Sequence, residues 1–279
     1  MSGEWSVVSA IASQAVHHSR LTTDGSRFSF TTMASIHKTK GIVLRTVKYG
    51  ETSLIASIYT ELFGLQSYLV NGVRTSSKKG PGKASLFQAG AMLEMVVYHN
   101  ELNNLQRIRE FKWGFLYQHI FSDIIKNSVA LFMVELLSKT IKQPEPNTDL
   151  FYFVEDAFTH LDESDQNVVA NFPLFFALHL ATLFGFRLSD EYSTENSYLD
   201  LQEGEFVHEQ PVHPYFLADH YSYTTSQLLK TRQPHELAGI PLNKDARRIL
   251  MNAYQQFYAL HIQDFGSMKT LPVLQEVLG

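Results

Sequence analysis

The chain has 279 residues, of which 44% are hydrophobic and 18% charged, so it is long enough and apolar enough for folded units with real cores. It contains no cysteine, which excludes disulfides, thiol nucleophiles, iron–sulfur clusters and cysteine-based zinc sites. The formal charge of -5 is unevenly spread: residues 33–114 hold eleven bases against five acids, residues 115–279 ten bases against twenty-one acids. A basic module that meets a polyanion, joined to an acidic module with another task, fits that split.

Residues 1–32 lack sustained periodicity and end in a Ser/Thr-rich stretch. They read as a flexible leader, and the short apolar run Val7–Ala12 has no positive flank of the kind a signal peptide needs. Nowhere do eighteen apolar residues run together, so no segment is expected to span a membrane.

Five short apolar runs then follow, at Ile42–Leu44, Leu54–Tyr59, Gln66–Val70, Ala91–Tyr98 and Leu105–Phe111, with turn residues between them. Five strands within residues 33–114 suit a small Greek-key barrel of the OB type, a fold that commonly binds single-stranded nucleic acid. Such binding needs cations for phosphates and flat rings for bases. The candidates are Lys38, Lys40, Arg45, Lys48, Arg74, Lys78, Lys79, Lys83, Arg107 and Arg109, with the polar stretch Arg74–Lys83 as a mobile phosphate clamp. Tyr49, Tyr59 and Tyr68 offer stacking faces, although Tyr59 and Tyr68 lie in apolar runs that favour the core. Gly80-Pro81-Gly82-Lys83 is not a P-loop: Ser77 stands where the first glycine belongs and Ala84 where a Mg²⁺-binding hydroxyl belongs.

From Trp113 the period becomes helical. Phe115, Leu116, Ile120, Ile124 and Ile125 predict a helix with a break near Asn127-Ser128, continued by Val129–Ile141. Asn147-Thr148 is a cap for a helix over Leu150–Leu161, and Phe172–Phe186 is a buried helix in which His179 is a core residue. Residues 187–213 are polar, with β-like pieces at Tyr198–Leu201 and Glu205–His208. Helices are expected again at 215–230 and 244–264, with a short last segment at 271–278. His208, His213 and His220 with Glu209 and Asp219 match neither H-E-x-x-H nor a zinc-finger spacing, so no metal, cofactor or catalytic residue is expected. The fold class is α+β: an OB barrel followed by a mostly helical domain over 115–279.

The stretch Lys40–Ile55, reading K-G-I-V-L-R-T-V-K-Y-G-E-T-S-L-I, resembles the opening of the RecO family of bacterial recombination mediators. The Phe63-Gly64 turn, Val70-Asn71-Gly72-Val73-Arg74 and the apolar helix ending Leu183-Phe184-Gly185-Phe186 are similar to it in order. The resemblance implies an OB fold and a helical domain that bind single- and double-stranded DNA and anneal complementary strands. It also implies loading of RecA onto DNA coated by single-stranded-DNA-binding protein, with RecR and the coating protein's acidic C-terminal tail as partners and no chemical catalysis. Many members carry a four-cysteine zinc module where this chain has Arg187–His213; here packing of Tyr192, Tyr198, Leu199, Leu201, Phe206 and Val207 must serve instead. An acidic tail needs local cations beside an apolar groove, and Lys126, Lys139, Lys142 and Arg187 are the candidates. The alternative is an OB-type module that recognises RNA or a protein partner; a hydrolase or transferase built on the acidic half is a more distant one.

Overall fold

A computed structural model describes residues 34–74, 83–142, 144–186, 188 and 190–278. The leader, most of the basic loop with Lys78 and Lys79, and Arg187 lie outside the described residues.

Five strands close a barrel in the order β1-β2-β3-β5-β4. They are β1 (Ser35–Tyr49), β2 (Ser53–Thr60), β3 (Gly64–Val70), β4 (Met92–His99) and β5 (Gln106–Trp113). β1 extends well before the apolar run that announced it. Its first half pairs with β4 and its second half with β2, with a register shift between Val43 and Arg45. Where the strand changes partners, a Cβ on Gly41 would stand 2.6 Å from both Ile58 and Met95 side chains. Only glycine fits that crossing. β3 meets β5 in parallel at Tyr68↔Gln106 and Leu69↔Arg107, which closes the barrel. Its interior is filled by Val43, Leu54, Ala56, Ile58, Tyr68, Val70, Leu93, Met95 and Val97, with Phe87 from a 3₁₀ turn (Lys83–Phe87) as a plug.

The helical part begins with α1 (Ile124–Thr140), α2 (Thr148–Glu163) and α3 (Gln166–Leu183). Side-chain caps start each: Asp123 accepts from the N–H groups of Ile125 and Lys126, Asn147 from Leu150, and Asp165 from Asn167 and Val168. α3 is apolar nearly all round and is buried accordingly. A small sheet, ordered β7-β6-β8, is made by β6 (Tyr198–Asp200), β7 (Glu205–Val207) and β8 (Phe216–Leu217). Helices α4 (Asp219–Lys230), α5 (Lys244–His261) and α6 (Thr270–Val277) complete the chain, with a 3₁₀ turn at Pro234–Gly239.

Residues 115–123 correct the sequence reading. They form an irregular connector and not a helix, and α1 runs unbroken through Asn127 and Ser128. The helical spacing misleads because Leu116 faces solvent while Tyr117 and Ile120 are buried. The backbone N–H groups of Gln118, His119 and Ile120 all donate to the buried Asp162 carboxylate, each at 2.8 Å. An external acceptor satisfies these amides, so no helix is needed to do so. Burial pushes the Asp162 carboxyl up, but the three N–H donors outweigh it and hold the group below the usual aspartate range.

Barrel and helices share one apolar core, in which Ile42, Leu44, Tyr59 and Met92 pack with residues of α1, α2 and α3. Tyr59 donates its hydroxyl to the Asn147 carbonyl at 3.1 Å. Gly64, with a φ of +61°, leaves the room its missing Cβ would need for the Pro144–Glu145 backbone.

Candidate nucleic-acid interface

The barrel's outer surface divides by what its cations already hold. Lys40 places Nζ at 2.9 and 3.0 Å from the Glu155 carboxylate of α2 and 5.5 Å from the Tyr152 ring centroid. The hydrogen bond that it donates to Glu155 raises its pKa against the cost of burial. Lys112 pairs with Glu94 at 2.7 Å, which holds the Glu94 carboxyl low, and Arg109 pairs with Glu110 at 3.3 Å. Lys38 lies in the same open groove of about 500 Å³, with Glu61, Glu94 and Glu110 in its lining. This part of the β1–β4–β5 face is therefore a mosaic of both signs. A phosphate chain gains little there, because every free cation has a carboxylate close by.

Arg45 and Lys48 are different. Both are exposed on β1 and hold no ion pair among the described residues. Arg45 stands in register with Ser57 of β2, which stands in register with Ser67 of β3. Paired residues share a face, so one arginine and two small hydroxyl side chains form a row across three strands. The next row is Val47–Ile55–Leu69, half-buried to exposed, and it runs on to exposed Arg107 of β5. Tyr49, 53% exposed, ends β1 beside them. Arg74 donates from Nη1 to the Gly50 carbonyl at 3.0 Å, which fixes the guanidinium at the same β1–β2 turn. Arg45 and Arg107, a flat ring and small hydroxyls thus meet on one outward surface, as a binder of single strands needs, while Lys48, in register with Leu54, alternates to the other side of the strand end.

Of the three tyrosines weighed from sequence, only Tyr49 is available for stacking. Tyr59 and Tyr68 are fully buried, and burial pushes both hydroxyls above their usual range. Lys83 is exposed at the start of the 3₁₀ turn.

Of the four cations proposed for an acidic partner, Lys126, Lys139 and Lys142 are described. Lys126 is a correction: it is buried and donates to the Asp162 backbone carbonyl at 2.6 Å, out of reach of an incoming peptide. Lys139 donates to the Phe265 carbonyl at 2.6 Å and lies over the Phe265 ring. That places it as a clamp between α1 and the α5–α6 connection. Lys142 is exposed just beyond α1. The sequence reading missed Asp162 and Glu155, because their partners lie far away along the chain and no local pattern marks them.

In the segment that follows α3, His213 Nε2 lies 3.1 Å from Asp200, and His208 Nδ1 lies 2.7 Å from the Glu195 carbonyl. These histidines serve separate partners. Among the described residues no group of three or more His, Asp or Glu side chains comes together in a metal-like cluster. The small sheet packs through Leu199, Leu201, Phe206 and Leu217, and Tyr192 meets Phe206 edge-on at 5.7 Å. His179 is a core residue, with its ring 4.3 Å from that of Phe175 and its pKa lowered by burial.

Comparison with known proteins follows the same division of the chain. Residues 33–115 match the family model described as recombination protein O N terminal, and residues 121–270 match recombination protein O C terminal. The DNA repair protein RecO of Phocaeicola vulgatus is 32% identical over 246 residues, covering 88% of this chain and all of that protein. The RecO protein of Flavobacterium psychrophilum is 33% identical over 87% of this chain and 99% of its own length. That of Porphyromonas gingivalis is 29% identical over 84% and 96%.

Proposed function

Because the chain belongs to the RecO family, we propose that it acts in DNA repair as a recombination mediator whose barrel binds single-stranded DNA without regard to sequence. The observation that carries this reading is the sorting of the barrel's cations. Lys40, Arg109 and Lys112 are held by carboxylates, whereas Arg45 stands free on the face that carries Tyr49 and a row of small hydroxyl side chains, and Lys48 stands free on the other side of the same strand end. Phosphates on Arg45, Lys48 and Arg74 and a base on Tyr49 use only backbone and ring-face contacts, which every sequence offers.

In this reading the protein works by binding and no bond is made or broken. It holds a strand, lets it anneal to its complement, and helps RecA replace the single-stranded-DNA-binding protein. RecR and that coating protein's acidic tail are the expected partners, and duplex DNA is a second ligand. Within the described residues no helix is long and apolar enough to cross a membrane, which is compatible with work at the nucleoid.

The test is anisotropy of a fluorescent oligo-dT titrated with protein at low and moderate salt, with the tail peptide as a second probe. Salt-sensitive DNA binding with tail binding supports the mediator. A clear preference for RNA would shift the reading to an RNA module, and no binding of any probe would overturn it.

A further inference from the structure

We propose that the bound strand does not leave the barrel at β3 but crosses β5 to a second stacking site at Tyr98 on β4, with Arg107 as the phosphate contact between. This rests on the single-strand reading above and specifies its path. The row Val47–Ile55–Leu69–Arg107 continues through the β5–β4 ladder to Tyr98 and through the β4–β1 ladder to Ile36. One outward row therefore passes over all five strands. Tyr98 is 37% exposed and Ile36 52% exposed, so an aromatic face is open to solvent beside an aliphatic floor. Neither the Tyr98 hydroxyl nor the Arg107 guanidinium has a polar partner among the described residues.

Electrostatics leaves this row as the open route across β4 and β5. One step further along the same strands lie Lys38, Val96 and Glu110, and beyond them Lys40, Glu94 and Lys112. There Glu94 and Glu110 are already paired with Lys112 and Arg109. A phosphate moving that way meets two carboxylates. On the Tyr98 row it meets Arg107 alone, and adjacent strands lie about 4.8 Å apart, so the ring is two strand widths from Leu69. A base that leaves the Ile55–Leu69 surface thus finds the next flat face across one arginine, which matches how single strands alternate phosphate and ring contacts.

The experiment compares oligo-dT of about 4 and about 16 nucleotides, the two ends of the range usual for one barrel. Tyr98→Ala is expected to weaken the long oligonucleotide about tenfold and to leave the short one unchanged. Tyr98→Phe, which keeps the ring, binds both like the parent. Arg107→Ala is expected to lower the logarithmic salt slope on the long oligonucleotide by about 0.7. A dT tract with one 5-iodouracil photocrosslinks to Tyr98 in the parent protein. If Tyr98→Ala binds the long probe as tightly as the parent and no crosslink maps to Tyr98, the path is wrong while the β1–β3 site stands. If the parent binds neither probe, the single-strand reading itself falls.

Discussion

Lys40 of β1 and Glu155 of α2 meet through both carboxylate oxygens, at 2.9 and 3.0 Å, across the seam where barrel and helices share their core. The motif that contains Lys40 suggested a phosphate ligand. Its partner shows a cation already in use.

Lys40→Ala is therefore expected to cost stability and not DNA affinity. With the lysine side chain 38% exposed, solvent screening limits the loss to about 0.5–1 kcal/mol. Urea unfolding followed by fluorescence measures it, and oligo-dT anisotropy on the same variant should be unchanged. Because the folded pKa is raised, this contribution is complete below the ordinary lysine value near 10.4 and fades as pH rises through the folded one.

Asp162 carries more weight. Asp162→Ala removes three charge-assisted bonds from buried amides, and a loss of about 3 kcal/mol is expected. The folded pKa is depressed, so the stabilisation is present above the ordinary aspartate value near 3.9 and is lost as pH falls through the folded one. Unfolding free energies from neutral pH down to about pH 3 check this, since the Asp162→Ala protein should lose less on acidification than the parent.

For DNA, about four neutralised phosphates give a logarithmic salt slope near −3 on single strands. Replacing Arg45 and Lys48 with Ala should bring the slope toward zero by about 0.7 for each and weaken all sequences alike. A parent slope near zero would show that the contacts are not electrostatic. Alanine at Arg74, Lys78, Lys79 and Lys83 together tests the basic loop in the same assay, and normal binding by that variant would remove the loop from the site.

The small sheet should stand without metal. Prolonged dialysis against a strong chelator is expected to leave Tm unchanged. Asp200→Ala, which loses His213 and the amides of Gln202 and Glu203, should lower stability by about 1–2 kcal/mol. A fall in Tm with chelator alone would contradict the packing account.

Local patterns made much of this architecture readable. The five apolar runs found β1 to β5 because a barrel strand buries alternate residues, and Asn147 announced α2 because a cap is a local bond. Residues 115–123 failed because their amides are satisfied by a carboxylate some forty residues away, which no window of periodicity contains. The same limit applies to the site. Composition gave the basic sign of the barrel, but which cations are free depends on Glu155 arriving from α2 and Glu94 from the neighbouring strand, as well as on Glu110 next to Arg109 on β5. Tyr98 looked like the last residue of an apolar run, and only the register of the β4–β5 ladder puts it beside Arg107.

The shared seam also has a consequence in time. During synthesis the barrel strands leave the ribosome first, while Glu155 and Asp162 follow some fifty residues later, a delay of about 2–10 s at ordinary elongation rates. Throughout that interval Ile42, Leu44, Tyr59 and Met92 have no helices to cover them. The nascent barrel is thus a natural client for a chaperone that shields apolar surface, and truncation before α2 should yield a chain that aggregates as it emerges.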